Sequence, residues 1–280
     1  MVEMKNGDTE LAAAPAKVFE LLDRAGLGLD VTVRDDQQEF STLVDGARVC
    51  RGNGGRFRLI DTGRLSLFEL EWLGEAGADL YTSDEARPRL LELDLLTRAC
   101  LRGRAAVAYF HHGPITGEGS DGKNSMAFLG EAGRLGIYLH FSSRDKERAP
   151  DSLSALAAAC RSAGSWLVYY HHGPLNRELG GLAKEGAWIH LSDKDLSSAE
   201  DVLLLTEIMR ENSCGKPRFV LHIEEGLPLQ ETLDLERTGA FLLFKTPPSD
   251  YRSAFRCLEQ RVERRRLDHR TYHLYTTFLP

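Results

Sequence analysis

Residues 56–104 read RFRLIDTGRLSLFELEWLGEAGADLYTSDEARPRLLELDLLTRACLRGR, and this stretch decides the fold class. It contains a strand-like segment FRLID, a short apolar helix that ends at Gly77, a second strand-like segment ADLYTS and a long amphipathic helix. Connections of this length are too long for hairpins between the strands. They favour a parallel sheet whose strands are joined by helical crossovers.

Both helices of this stretch are predicted to bury one side. In the short helix the apolar positions Leu65, Phe68, Trp72 and Leu73 follow helical spacing. In the long helix the predicted buried side carries Leu90, Leu91, Leu95, Ala99 and Cys100. Each helix is therefore expected to cover the sheet.

The same strand, helix, strand, helix pattern recurs about five times with a period of roughly 50 residues. Two sets of residues mark equivalent points of this repeat. The cysteines are Cys50, Cys100, Cys160, Cys214 and Cys257, and the glycines that close a helix are Gly26, Gly77, Gly133, Gly186 and Gly239. At a helix C-terminus glycine adopts positive φ without a Cβ penalty, so we predict positive φ for Gly77, Gly133, Gly186 and Gly239.

Ten strands are predicted, at residues 29–34, 56–61, 78–83, 105–112, 136–141, 166–172, 187–192, 218–225, 240–245 and 271–277. The predicted architecture is α/β, a parallel β/α barrel of the TIM type with eight to ten strands, formed by residues 1–280 as a single domain. An open α/β horseshoe is the alternative, because similar units can stack as well as close into a ring.

Composition narrows the class of protein. The formal net charge of -7 argues against binding to nucleic acid or to an anionic membrane surface, both of which require a basic face. The chain has neither an apolar run long enough to span a membrane nor a signal peptide at its start, so a cytoplasmic location is expected. The five widely spaced cysteines are expected to be reduced packing residues.

Polar and aromatic side chains are concentrated in the predicted strands, where a purely structural parallel sheet would carry Val, Ile and Leu. Adjacent polar pairs fall at strand ends, and two of them continue as HHGP, at 111–114 and 171–174. In β/α barrels ligands bind at the C-terminal ends of the strands. The candidate ligand-binding residues are Asp61, Tyr109, His111, His112, Tyr169, His171, His172 and Glu224.

One hypothesis for these residues is a divalent metal site. His111, His171 and Glu224 share a parity in the aligned strands, and two histidines with a carboxylate can bind zinc and leave a position open for water. Asp61 or His140 would then act as the base. The competing interpretations are a polar ligand pocket without metal and a purely structural role for the histidines.

Two further features have ordinary explanations. The segment 113–125, GPITGEGSDGKNS, is an insertion that contains G-x-x-x-x-G-K, but Asn124 replaces the Ser or Thr that a phosphate-binding loop needs, so we interpret it as a surface loop or lid before a helix. Asp84, Asp193 and Asp195 follow strands and are predicted to cap helix N-termini.

These observations favour a binding or scaffolding module without catalytic activity, which holds a small ligand or a protein partner at the C-terminal ends of the strands. The alternative is a metal-dependent hydrolase or lyase of the β/α-barrel type. The sequence leaves open whether the chain is an enzyme.

Overall fold

A computed structural model describes residues 18–115, 122–144, 150–196, 198–212, 218–224 and 226–244. Nine strands in these ranges form one parallel sheet in chain order. The strands are β1 Val31–Arg34, β2 Phe57–Ile60, β3 Ala78–Ser83, β4 Val107–His111, β5 Tyr138–Ser142, β6 Leu167–Tyr170, β7 Trp188–Ser192, β8 Phe219–Ile223 and β9 Phe241–Phe244.

A helix precedes every strand. The helices are α1 Val18–Gly26, α2 Phe40–Gly52, α3 Leu67–Ala76, α4 Leu90–Gly103, α5 Met126–Arg134, α6 Pro150–Ser162, α7 Glu178–Lys184, α8 Ala199–Asn212 and α9 Leu229–Arg237, and a short 3₁₀ helix covers Asp193–Asp195. The predicted α/β class and parallel sheet are therefore confirmed, with nine of the ten predicted strands present. The tenth, 271–277, lies outside the described residues, and closure of the sheet into a barrel stays a prediction, as does the horseshoe.

Within the described ranges the chain divides into two compact units. The first contains residues 18–81 and 98–106, and the second contains residues 82–97 and 107–244. The prediction of one domain over 1–280 stays a prediction.

Cysteines anchor three of the helices to the strands beside them. The buried thiols of Cys50, Cys100 and Cys160 lie 3.6, 3.9 and 3.7 Å from the carbonyl oxygens of Leu29, Ala78 and Ile137. All three cysteines are free, as predicted. Burial raises the pKa of the Cys50 thiol to about 11 and that of Cys160 to about 12, so both stay protonated. Cys214 and Cys257 lie outside the described residues.

The glycine prediction is right at three positions and wrong at one. Gly77, Gly186 and Gly239 have φ of 108°, 104° and 99°, but in the fourth case the left-handed residue is Gly136, with φ of 89°, and not Gly133. Gly133 lies inside α5, where an added Cβ would be 3.1 Å from Cys160 Sγ. It matches Gly74 of α3, whose Cβ would lie 3.0 Å from Cys100 Sγ. Gly133 therefore allows two helices to approach closely.

The predicted buried sides of α3 and α4 are partly wrong. Leu73, Ala99 and Cys100 are buried, as is Leu65 just before α3, but Phe68 and Trp72 are 68% and 44% exposed and Leu91 is 69% exposed. Leu70 and Gly74 are buried in α3 instead, and Leu93 and Leu96 are buried in α4. The side chain of Trp72 instead makes edge contacts with Phe40 and Phe68 at ring distances of 6.2 and 5.9 Å.

Candidate functional site

The strand register separates two sets of side chains in β4–β8. Phe110 pairs with His140, Tyr170 pairs with both Ser142 and His190, and Ser192 pairs with His222. Because alternate residues of a strand point to opposite faces, these positions share one face. We call it the imidazole face and define it by Phe110, His140, Tyr170, His190 and His222.

Tyr109 and His111 point to the other face, which is covered by helices. The ring of Tyr109 lies 6.2 Å from that of Phe128 in α5. His111 pairs in register with Phe141, and Phe141 pairs with Tyr169. Tyr169 and His171 are two residues apart with their rings 6.0 Å from each other, so His171 belongs to this face as well.

The imidazole face carries a row of buried rings joined by hydrogen bonds. His140 Nδ1 lies 3.2 Å from the hydroxyl of Tyr170, and His190 Nδ1 lies 2.8 Å from His222 Nε2. The ring of Phe110 stacks on His140 at 4.3 Å, and the rings of Tyr170 and His190 are 4.7 Å apart. All five side chains are buried. One polar or aromatic ring from each of five successive strands therefore contributes to a continuous layer.

Burial sets the protonation of this layer. It raises the pKa of the Tyr170 phenol, which stays protonated. Burial, together with the nearby His190, lowers the pKa of His140 well below the ordinary value of 6.5, so this imidazole is neutral. His140 Nδ1 and the Tyr170 hydroxyl share one hydrogen bond, and the imidazole tautomer sets its direction. His140 Nε2 is buried and has no hydrogen-bond partner among the described residues.

The strand ends above this layer are polar, and all except the buried Ser192 are partly exposed. On the same face, two residues beyond each member of the layer, stand His112, Ser142, His172, Ser192 and Glu224. Glu224 accepts hydrogen bonds from Lys194 Nζ at 3.0 Å and from Ser192 Oγ at 3.4 Å. Its side chain is 16% exposed and that of Lys194 is 47% exposed. We call these five positions the C-terminal edge.

Buried carboxylates hold the backbone at this edge. Asp84, which follows β3, accepts hydrogen bonds from the amides of His112 and Gly113 at 3.1 and 2.9 Å. Asp193, which follows β7, accepts from the amides of Glu224 and Gly226 at 2.9 and 2.8 Å. Ser143 Oγ accepts from the amide of His172 at 2.8 Å. In the first unit Asp35 accepts from the amide of Thr62 at 3.1 Å.

The predicted N-cap role of Asp84, Asp193 and Asp195 is therefore wrong. Asp195 accepts from the amide of Gly173 at 3.2 Å, and the cap of α8 falls instead at Ser198, whose hydroxyl accepts from the amide of Asp201. The sequence placed these aspartates correctly after strands. Their partners are loop amides 22 to 33 residues away, after the next strand for Asp84 and Asp193 and after the preceding strand for Asp195, and no local pattern announces such a bond.

The environment of Asp84 makes it a fixed negative charge. Burial alone would raise its pKa, but the amides of His112 and Gly113 and the nearby imidazoles more than offset this, and the pKa is lowered. His111 Nδ1 lies 3.3 Å from Asp84 Oδ2. The neighbouring hydroxyl of Tyr109 is buried with no partner among the described residues, and burial, together with the charge of Asp84, raises its pKa.

The three proposed metal ligands are not brought together. His111 faces Asp84, and His171 Nε2 lies 3.0 Å from the carbonyl oxygen of Pro174, closing its own HHGP turn. The predicted common parity of Glu224 with these histidines is wrong, because the register of β8 places Glu224 on the imidazole face with His222. Among the described residues no group of three or more His, Cys, Asp or Glu could hold a metal ion.

The other predicted site residues have separate places. Asp61 lies in the first unit, where it accepts a hydrogen bond from the amide of Gly63 at 2.9 Å. Of the 113–125 segment, residues 116–121 lie outside the described residues. Lys123 Nζ donates to the carbonyl oxygen of Asp84 at 2.7 Å, and Ser125 caps α5, the helix predicted to follow.

The sequence prediction named His112 and His172 but did not single out the buried layer to which Tyr170, His190 and His222 belong. The alternation of side chains between the two faces of a strand would have indicated this layer. Counting back two residues from each polar strand end gives the buried ring of the same face, whereas the adjacent member of each pair belongs to the helix-covered face.

Comparison with known proteins finds distant structural resemblances. No model of a known protein family matches the chain, and no curated protein matches it. Among solved structures, it is similar to D-threonine aldolase from Filomicrobium marinum, with 15% identity and a TM-score of 0.28 over 53% of this chain. The aligned part spans 45% of the aldolase chain, less than half its length. A resemblance at this level carries no inference about function.

Proposed function

We propose that the protein is a binding module without catalytic activity that holds a small polar ligand at the C-terminal edge of β4–β8. One observation supports this proposal. Neighbouring strands end in partly exposed polar groups on one face, at His112, Ser142, His172 and Glu224, and each stands above a buried ring. Ligands of parallel β/α sheets bind at this end of the strands.

The position of the histidines supports binding better than it supports metal chemistry. His172 and His112 are partly exposed at the edge, and their backbone amides are held by Ser143 and Asp84. A side chain on a fixed backbone binds a ligand with little loss of conformational entropy.

Location and partners follow from the same proposal. Among the described residues no helix is both long and apolar enough to cross a membrane. We place the protein in the cytoplasm, with a small molecule as its first partner and a protein that docks on the same edge as the alternative. The acidic balance of the chain argues against nucleic acid.

Thermal unfolding in the presence of a panel of small metabolites tests the proposal. The panel contains free sugars, amino acids, dicarboxylates, nucleosides and phosphate esters, each at millimolar concentration. A ligand should raise the melting temperature of the parent protein, because binding to the native state alone stabilises it. Titration calorimetry should then confirm a single site.

Variants assign the binding to the edge. His172→Ala and Glu224→Gln should each weaken binding at least tenfold. Arg134→Ala removes an exposed side chain at the far end of α5 and should leave binding unchanged. Absence of any stabilising compound from the whole panel, or equal binding by all three variants, would refute the proposal.

A further inference from the structure

We infer that the guanidinium of Arg218 binds the carboxylate of a small apolar organic acid at the N-terminal end of β6–β8. This site goes beyond the proposed function, because it lies at the opposite end of these strands from the C-terminal edge. It follows from an arginine that contacts two indole rings and has no anionic partner among the described residues.

The site is formed where three neighbouring strands begin. Trp166 directly precedes β6, Trp188 is the first residue of β7, and Arg218 directly precedes β8. Trp188 is two residues before His190, and the pairing of β7 with β6 and β8 places Trp166 and Arg218 on the same face. The three side chains therefore belong to the face that carries the buried histidines. We call Trp166, Trp188 and Arg218 the indole–arginine cluster.

Two indole rings hold the guanidinium of this cluster. The Cζ atom of Arg218 lies 4.1 Å from the ring centroid of Trp166 and 5.1 Å from that of Trp188. Both distances are within the range of a cation–π interaction, which extends to about 6 Å. The rings attract the cation and limit its rotamers, but they supply no oxygen to accept hydrogen bonds from its N–H groups. Arg218 is therefore oriented while its N–H groups still require an acceptor.

No described residue supplies that acceptor. Within the described ranges the side chain of Arg218 has neither a hydrogen bond nor an ion pair. By contrast, Arg177 pairs with Glu207 and Glu211 at 2.8 and 3.0 Å. Burial lowers the pKa of Arg218, and the positive charge of Arg161 lowers it further. An anion beside the guanidinium would offset both effects, because it favours the charged form.

The charge of the cluster fits a single carboxylate. The nearby Arg161 faces Glu185 at 3.6 Å and donates to the carbonyl oxygen of Lys184 at 3.4 Å. Arg218 is left with a positive charge that no carboxylate of the described residues balances. A carboxylate accepts two parallel hydrogen bonds from one guanidinium. Arg218 is partly exposed, so a dissolved acid can reach it.

The surroundings of the guanidinium suit an apolar group on the rest of the ligand. Trp166 and Phe241 are partly exposed, and the rings of Phe241 and Trp188 lie 5.6 Å apart. Phe241 pairs in register with Val220, two residues after Arg218, so it lies on the same face. Aromatic side chains offer apolar surface to a ligand. We therefore expect an aromatic or branched aliphatic monocarboxylate rather than a dianionic phosphate.

Fluorescence titration tests the inference, because two of the three tryptophans of the chain belong to the cluster. At least one of the two acids phenylacetate and isovalerate should change the tryptophan emission in a saturable way. Its uncharged counterpart, phenylacetamide or isovaleramide, should bind at least tenfold more weakly, and so should inorganic phosphate. Calorimetry with the same acid should give the same affinity and one site.

Variants assign the acid to the cluster. Arg218→Gln removes the guanidinium and should weaken binding of the acid at least tenfold. Arg218→Lys keeps a cation but cannot form two parallel N–H···O bonds, so it should weaken binding at least threefold. The lysine variant remains informative if the glutamine variant does not fold. The matched control is Arg177→Gln, which removes an exposed arginine from the loop after β6 and should bind the acid as the parent does.

Four results would overturn the inference. They are the absence of a saturable response to both acids, equal binding of acid and amide, unchanged binding in both Arg218 variants, and binding of phosphate more tightly than either acid. Acid binding that is lost in His172→Ala but kept in Arg218→Gln would place the acid at the C-terminal edge. That result would also overturn this inference while supporting the proposed function, so the two proposals can fail separately.

Discussion

Buried polar atoms decide how single residues contribute to stability in this protein. Tyr109 and Tyr170 are both buried tyrosines of the second unit, yet their hydroxyls differ in surroundings. The Tyr170 hydroxyl is hydrogen-bonded to His140, whereas the Tyr109 hydroxyl has no partner among the described residues. An unsatisfied buried hydroxyl costs free energy that a satisfied one does not.

We therefore expect opposite effects from two chemically identical substitutions. Tyr170→Phe should lower the free energy of unfolding by about 1 to 2 kcal/mol, because it removes a buried hydrogen bond and leaves His140 Nδ1 unsatisfied. Tyr109→Phe should leave it unchanged or raise it. Urea denaturation of the two variants measures the difference, and equal losses would show that the Tyr109 hydroxyl has a partner.

His140 makes stability depend on pH. Its pKa in the folded protein is lowered by burial, so the unfolded chain binds a proton that the native state does not. Its full contribution to stability is present above the ordinary pKa of 6.5 and is lost as the pH falls below that value. The expected slope is up to about 1.4 kcal/mol per pH unit.

Urea denaturation at several pH values between 5 and 7.5 tests this. His140→Gln should reduce the pH slope of the unfolding free energy by the amount that corresponds to one bound proton. Phe110→Leu removes the ring that stacks on His140 but no titrating group, and it should keep the slope. A parent protein whose stability does not change over this range would contradict a neutral, buried His140.

At the scale of elements, glycine serves two purposes that look alike in the sequence. Gly186 ends α7 in a left-handed conformation, with φ of 104°, while Gly181 lies inside the same helix with nothing within 4 Å of an added Cβ. Gly186→Ala should destabilise the protein by about 1 kcal/mol through backbone strain. Gly181→Ala should stabilise it by about 0.5 to 1 kcal/mol because alanine favours the helix.

Thermal melts of the two variants measure these stability changes, and the comparison is direct because both substitutions replace glycine with alanine in α7 or at its end. A Gly186→Ala variant that melts with the parent would contradict the capping role of this glycine.

The second purpose of glycine is to let two helices approach closely, and Gly133 serves it between α5 and α6. Alanine there would place Cβ 3.1 Å from Cys160 Sγ and 3.3 Å from the Cys160 amide nitrogen, so α5 and α6 would have to separate. We expect Gly133→Ala to cost about 1 to 3 kcal/mol by overpacking. Gly130→Ala in the same helix meets only the end of the Arg134 side chain at 3.8 Å and should not destabilise.

A double variant separates crowding from strain. Cys160→Ala removes the sulfur that the new methyl group approaches, so Gly133→Ala should cost less in that background. Equal costs in both backgrounds would place the conflict in the backbone.

At the scale of the whole molecule, buried thiols report on the integrity of the fold. Cys50, Cys100 and Cys160 are fully buried, and the pKa values of Cys50 and Cys160 are raised to about 11 and about 12. Reaction with a thiol reagent at neutral pH should therefore be slow for these three and fast for all five after denaturation. Mass spectrometry of the labelled peptides identifies them, and rapid native labelling of Cys160 would contradict the described packing.

The sequence predicts the elements of the fold better than their contacts. Strands such as ADLYTS and the helix-ending Gly77 have local signals, and both are where the sequence indicates. The burial of α3 was misjudged because Phe68 and Trp72 are as apolar as Leu70 and Leu73, and only the neighbouring elements decide which side packs. Glu224 was assigned to the wrong face because the strand pairs were aligned by their ends, and an offset of one residue reverses every side chain.

The hydrogen bonds that Asp84 and Asp193 accept from the amides after the next strand also bear on which parts of the sequence can change. Each carboxylate lies just after one strand and binds the first amides of the loop after the next strand. These hydrogen bonds fix the ends of both strands, and the rest of the second loop begins beyond them. We therefore expect residues beyond Gly113 or Gly226 to tolerate insertion, deletion or exchange without movement of the sheet. The insertion after Gly113 is an example within this chain, and the same positions are where new loops can be grafted to alter what the edge binds.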